Sequence, residues 1–221
     1  MKLRSIMTDI LAGDWRHAKQ RCAQAYADWR VGATVAEAHC YTQGGRILLT
    51  FDDYADPTRV RDLLALLKQL DVQAMFFIQG DWADQHAGLM RVMSEAGHVV
   101  ANHTYSHRNL LELSDDEVRE EISRGPKSQW LRPPQGKFDQ RIRQLAAELG
   151  YQLCYWTIDS DDWQGVSAAA MQTKIMAEVE PGAVILFHLH GRHTLEVLPG
   201  LVAAIRDRGF EVARLGEALW A

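Results

Sequence analysis

From residue 46 onward short β-rich runs alternate with stretches of helical period, and this alternation restricts the fold more than any other feature. Short β-rich runs read "RILLTF", "QAMFFIQ", "HVVANHT", "QWLRPP", "QLCYWTID", "AVILFHLH" and "FEVARL". Between most of them the apolar residues recur at helical spacing. In "PTRVRDLLALLKQLD", Val60, Leu63, Leu64, Leu67 and Leu70 form one stripe. Asp56 is placed to cap that helix and Pro57 to start it. "ELSDDEV" carries a Ser114–Glu117 capping box, and "GLMRVMSEAG", "DQRIRQLAAELG" and "LPGLVAAIRDRG" each stop at a glycine. Such alternation predicts an α/β fold, a parallel sheet wrapped by helices, either open or closed as a barrel. Residues 1–45 lack it. "TDILAGDWRHAKQRCAQAYADWR" reads as an N-terminal helical extension, and residues 46–221 as one domain.

Composition excludes some roles. A formal charge of −5 over 221 residues argues against binding nucleic acid through phosphate neutralisation. No run is apolar enough to span a membrane. The first twenty residues lack the apolar core of a secretory signal, so the chain as given reads as cytoplasmic; an exported protein without its leader would look the same. Cys22, Cys40 and Cys154 have no CxxC spacing and read as unpaired thiols.

In parallel α/β folds, ligands bind at the C-terminal ends of the strands. The residues expected there are chemically reactive in five runs. They are Asp52 and Asp53 in "TFDDY", His103 and His107 in "NHTYSH", and Arg132 in "RPPQG". "DSDDW" adds Asp159, Asp161, Asp162 and Trp163, and "LFHLH" adds His188 and His190. Singly, each has a plain reading as a turn, a cap or a surface histidine. Together they fall at one end of successive strands, where plain readings would scatter them. Two imidazoles and a carboxylate make a three-ligand set for a catalytic zinc with one position open. His103, His107 and either Asp52 or Asp53 would supply it. The other aspartate would act as general base, held ionised by Arg132, with His188 protonating a leaving group.

These runs resemble the motifs of the polysaccharide deacetylase family, the NodB-homology domain of carbohydrate esterase family 4. "TFDDY" resembles TFDDG, "HTYSH" matches H-[ST]-x-x-H, and "RPPQG" resembles R-x-P-[YF]-G. "DSDDW" matches D-S-x-D-W, and "ILFH" is similar to the closing I-x-L-x-H run. The resemblance covers about residues 46–215. It implies a distorted (β/α) barrel of about seven parallel strands and a metal-dependent hydrolase. That enzyme removes N-acetyl, less often O-acetyl, groups from a sugar or oligosaccharide and releases acetate.

The roles implied are Asp52 as base and Asp53, His103 and His107 as metal ligands. Arg132 would orient Asp52, and Asp162 would tune the acid His188. The backbone N–H of Gln135 would serve the oxyanion, and Trp163 and Leu186 would line the acetyl slot. The expected metal is zinc, with cobalt or nickel as alternatives. Tyr54 stands where the family has glycine and is expected beside the sugar. Gln135 replaces an aromatic residue, Leu189 follows His188 where Asp is common, and residues 121–132 are short for the family. Two other functions compete: an amidohydrolase acting on a non-carbohydrate amide or cyclic ureide, and a catalytically dead carbohydrate-binding scaffold.

Overall fold

The computed structural model describes residues 45–213. The expected N-terminal extension therefore lies, save for Gly45, outside the described residues. Seven parallel strands form one sheet: β1 (Leu48–Asp53), β2 (Ala74–Ile78), β3 (Val99–Asn102), β4 (Trp130–Leu131), β5 (Gln152–Leu153), β6 (Ile158–Asp159) and β7 (Val184–His188). Their order is β5-β4-β3-β2-β1-β7-β6. The helices are α1 (Pro57–Gln69), α2 (Gly80–Gln85), α3 (Ala87–Glu95), α4 (Asp115–Arg124), α5 (Gln140–Glu148), α6 (Ala168–Glu178) and α7 (Thr194–Asp207).

The sheet curls into a half-barrel, and its topology shows why. β5 and β6 lie on opposite edges, yet Leu153 and Ile158 are only five residues apart. Five extended residues reach roughly 17 Å, so the two edges must approach one another. The single strand expected over "QLCYWTID" is thus two strands, one per edge. Tyr155 and Trp156, stacked at 4.0 Å, lie in the segment that bridges them. The seventh expected run shrinks to one bridge, Val212 to Ile47. Cys154 is disulfide-bonded, which corrects its reading as an unpaired thiol.

Strand alternation divides the interior in two. Leu49, Phe51, Phe76, Ile185 and Phe187 face the helices and pack with Val60, Leu63, Leu67 and Leu201. Phe51 stacks between Phe76 and Phe187 at 5.3 and 5.6 Å. Each phenylalanine buried this way contributes roughly 2–3 kcal/mol. Leu48, Met75, Phe77, Ala101 and Val184 fill the inside of the barrel. Following the two-residue period, Thr50, Asp52, Leu186 and His188 share that inner face, and polarity rises toward the strand ends.

Helix ends follow their sequence signals. The Asp56 carboxylate accepts from Thr58 N–H at 2.8 Å with Pro57 in the first turn, and the Ser114–Glu117 capping box is complete. Gly97, Gly150 and Gly209 have φ of 83°, 82° and 82° just after α3, α5 and α7, where glycine meets no Cβ penalty. α7 begins earlier than its pattern suggested and contains Pro199. Among the described residues, no helix is long and apolar enough to cross a membrane.

Candidate active site

Alternation along β1 points Asp52 into the barrel and would point Asp53 out of it. The backbone resolves this at Asp53 itself, whose φ is 73°. A left-handed residue at the strand end turns its side chain back toward the mouth, and aspartate tolerates that region better than most residues. Tyr54 is not among the positive-φ residues, so the expected glycine position needs no glycine. Among the described residues, five of the six non-glycine residues with positive φ lie in four of the five motifs: Asp53, Thr104, His107, Gln135 and Asp161. Backbone of this kind is held in place by its surroundings and gathers at functional sites.

Asp53 Oδ1 lies 3.5 Å from His103 Nε2 and 3.4 Å from His107 Nε2. One ligand atom from each of the three side chains falls within 4.8 Å of the others. Ligand atoms each about 2.1 Å from a tetrahedral zinc stand roughly 3.4 Å apart, so the donor set fits such an ion. The tautomer fits too. His103 Nδ1 is 2.7 Å from the Arg132 carbonyl, which only accepts, so Nδ1 carries the hydrogen and Nε2 offers its lone pair. Burial pushes the Asp53 carboxyl up, but hydrogen bonding and charge from His103, with the charge of His107, outweigh it and hold the group well below its ordinary value. Burial and the neighbouring His103 lower the His107 imidazole, favouring the neutral, ligating form.

Asp52 sits behind this cluster and is buried. Arg132, the bulkiest fully buried side chain, donates to Asp52 Oδ1 at 2.6 Å and to Thr50 Oγ1 at 2.9 Å. Its Nε donates to the Cys154 carbonyl at 3.0 Å, and its guanidinium lies 4.0 Å over the Phe77 ring. Burial lowers the guanidinium pKa, and the Asp52 carboxylate opposes that shift. With Oδ1 occupied, Asp52 keeps Oδ2 for chemistry, 3.8 Å from His103 Nε2.

His188 stands in register with Asp52 on the neighbouring strand. Its Nδ1 is 2.8 Å from Asp162 Oδ1, while its backbone N–H and the Thr194 hydroxyl donate to Asp162 Oδ2 at 2.8 and 2.6 Å. Burial works against the imidazolium, but the Asp162 hydrogen bond and the Asp52 charge overcome it and raise the His188 pKa. For Asp162 burial acts upward, and His188 and Thr194 bring the net shift down. Gly191 permits this packing, since a Cβ there would come within 2.1 Å of Asp162 Oδ2.

The expected substrate residues fall around the mouth. Leu186 is buried beside Thr50 in register. Tyr54 and Trp163 are exposed at 51% and 56%, unusual for aromatics of this size. Gln135 has φ 58°, ψ 13° and is followed by Gly136 at φ 65°. Its backbone N–H has no partner among the described residues. A Cβ on Gly136 would meet the Tyr155 hydroxyl at 2.5 Å.

Sequence reasoning missed several supporting groups. Gln79 Nε2 donates to Asp53 Oδ1 at 3.0 Å, and its place at the end of β2 was the available signal. Thr194 and Thr50 carried none. His190, named without a role, places Nδ1 3.7 Å from Asp53 Oδ2. Arg59 donates to the carbonyls of Leu189 and Gly191 on either side of it.

Residues 41–154 match the family model described as "Polysaccharide deacetylase". A peptidoglycan-N-acetylglucosamine deacetylase of Bacillus cereus is 31% identical over 176 residues, covering 74% of this chain and 64% of that one. The chain spans 64%, 52% and 38% of the length of three curated relatives it matches. Among solved structures, a family 4 carbohydrate esterase from Streptomyces lividans in complex with acetate superposes with a TM-score of 0.72 at 31% identity, covering 77% of this chain and 92% of that one. A mutant with restored enzymatic activity of a family 4 pseudoenzyme superposes at 0.75 with 28% identity, covering 81% and 69%; the wild-type pseudoenzyme is from Bacillus anthracis. Fold, motif order and sequence agree, and the chain belongs to the polysaccharide deacetylase family.

Proposed function

We propose that this chain is a metal-dependent N-deacetylase of an acetylated amino sugar in an oligosaccharide or glycan, releasing acetate. The observation that carries this reading is the clustering of Asp53, His103 and His107 close to a buried Asp52–Arg132 pair, with a half-buried His188, on the strand beside Asp52, held by Asp162. A divalent ion, zinc by the chemistry of its N and O donors, would be held by those three residues. When bound it lowers the pKa of water and neutralises developing negative charge.

The chain's own groups account for the rest. Asp52, fixed through Oδ1, takes a proton on Oδ2 from the water that attacks the acetyl carbon. The backbone N–H of Gln135, which makes no backbone hydrogen bond among the described residues, is left to donate to the oxygen that gains charge. The C–N bond then breaks, and His188 passes its proton from Nε2 to the departing amine. Leu186 and Trp163 bound an apolar slot for the acetyl methyl, and Tyr54 offers a ring to the neighbouring sugar.

The raised pKa of His188 keeps the acid protonated to higher pH than a free imidazole. Asp162→Asn is therefore expected to move the basic limb of the kcat/KM profile to lower pH; an unmoved limb contradicts this role. The pseudoenzyme among the solved relatives makes non-catalytic sugar binding the competing reading. Acetate measured from N-acetylated chito-oligosaccharides, peptidoglycan fragments, acetylated xylan and small N-acetyl sugars decides between them. Release from an amino-sugar substrate supports the proposal, and sugar binding without any release overturns it.

A further inference from the structure

Glu121 is a buried carboxylate that the chemistry above does not use. It lies in the last turn of α4, and its partners are all in the tripeptide between the two histidine ligands. Glu121 Oε2 accepts from the backbone N–H groups of Tyr105 and Ser106 at 3.1 and 2.9 Å, and Oε1 accepts from the Ser106 hydroxyl at 2.5 Å. The tripeptide needs such support. Thr104 and His107 both hold positive φ, 65° and 60°, which costs roughly 1–3 kcal/mol for each residue unless the surroundings enforce it.

Other bonds close the frame. Thr104 N–H donates to Asn102 Oδ1 at 2.7 Å, and Asn102 Nδ2 donates to the Ile122 carbonyl of α4 at 2.8 Å. The carbonyls of Thr104 and Tyr105 accept from Gly80 and Asp81 at 2.9 and 3.1 Å. Arg124 lies 3.5 Å over the Tyr105 ring, also from α4. Of these groups only Glu121 supplies negative charge to backbone N–H groups, where a hydrogen bond is roughly twice as strong as a neutral one.

We propose that Glu121 is a positioning residue of the metal centre: its carboxylate fixes the left-handed turn that aims His103 and His107 at one point with Asp53. The inference rests on the proposed metal centre but not on any substrate. The loss of an outer-shell partner of this kind costs about 10–100-fold in metal affinity.

The test is zinc affinity by chelator competition for the full chain and for Glu121→Ala and Glu121→Gln, with thermal unfolding of the metal-free proteins beside it. Glu121→Ala is expected to weaken zinc about 10–100-fold, and Glu121→Gln, which keeps one accepting oxygen, to fall between it and the parent. A residue that only stabilised the fold would lower the unfolding temperature and leave the zinc affinity of the folded protein unchanged; that result overturns the proposal. Should the alanine variant not fold, the glutamine variant decides: weakened zinc supports the role and unchanged zinc refutes it. Zinc binding is read without substrate, so loss of this order leaves the deacetylase reading untouched, and failure of acetate release leaves this one untouched.

Discussion

Asp53→Ala is expected to weaken zinc binding by at least about 100-fold, beyond the cost of losing an outer-shell partner, and to reduce acetate release to background. Asp52→Asn is expected to keep zinc and to lower kcat by about 10²–10⁴, the usual share of a general base. The two residues are adjacent and both carboxylates, so the difference must come from geometry. Asp53 Oδ1 faces both histidine Nε2 atoms at 3.4–3.5 Å. Asp52 spends Oδ1 on Arg132 at 2.6 Å. An asparagine at position 52 can still accept from Arg132 but cannot take a proton from water. Equal zinc affinity in the two variants, measured by chelator competition, would contradict this division.

Arg132→Met carries the largest expected cost in stability. Arg132 and Asp52 are both buried, so removing the guanidinium leaves a carboxylate in the barrel without its counter-charge. Breaking a buried pair in this way costs about 3–5 kcal/mol. The same substitution removes donors from Thr50 Oγ1 and the Cys154 carbonyl. Urea unfolding should show the loss in the single variant, and Asp52→Asn added to Arg132→Met should recover part of it. A single variant as stable as the parent would contradict this cost of breaking the Asp52–Arg132 pair.

Much of this was legible in the sequence, for physical reasons that can be named. Short, nearly continuous apolar runs separated by helical stripes specify a parallel sheet, because strands buried on both faces are apolar throughout and each is followed by a helix that returns the chain. The site residues were readable because such sheets gather their strand ends at one mouth. At that mouth Asp53, His103 and His107 lie close together, and Asp52 meets Arg132; the Asp162–His188 contact was an implication of the family resemblance rather than of strand position.

What was not legible depends on closure and on contacts across the chain. The split of "QLCYWTID" follows from the two sheet edges meeting, which no local pattern encodes. The bend at the aspartate pair falls on Asp53, which takes the left-handed backbone, while Tyr54 does not. That outcome follows from where the side chain must point, not from which residue type is most permissive. Gln79, Glu121 and Thr194 reach their partners across about 15 to 32 residues, and of the three only Gln79, at the end of the β2 run, carried a local signal.

The central claim is that Asp53, His103 and His107 hold a metal that makes this chain a deacetylase. Its most direct test is acetate release from an N-acetylglucosamine oligomer by the protein as prepared, after exhaustive chelation, and after zinc is restored. The expected result is release that stops on chelation and returns with zinc. Release that persists at the same rate in the chelated protein, with zinc confirmed absent, would contradict it.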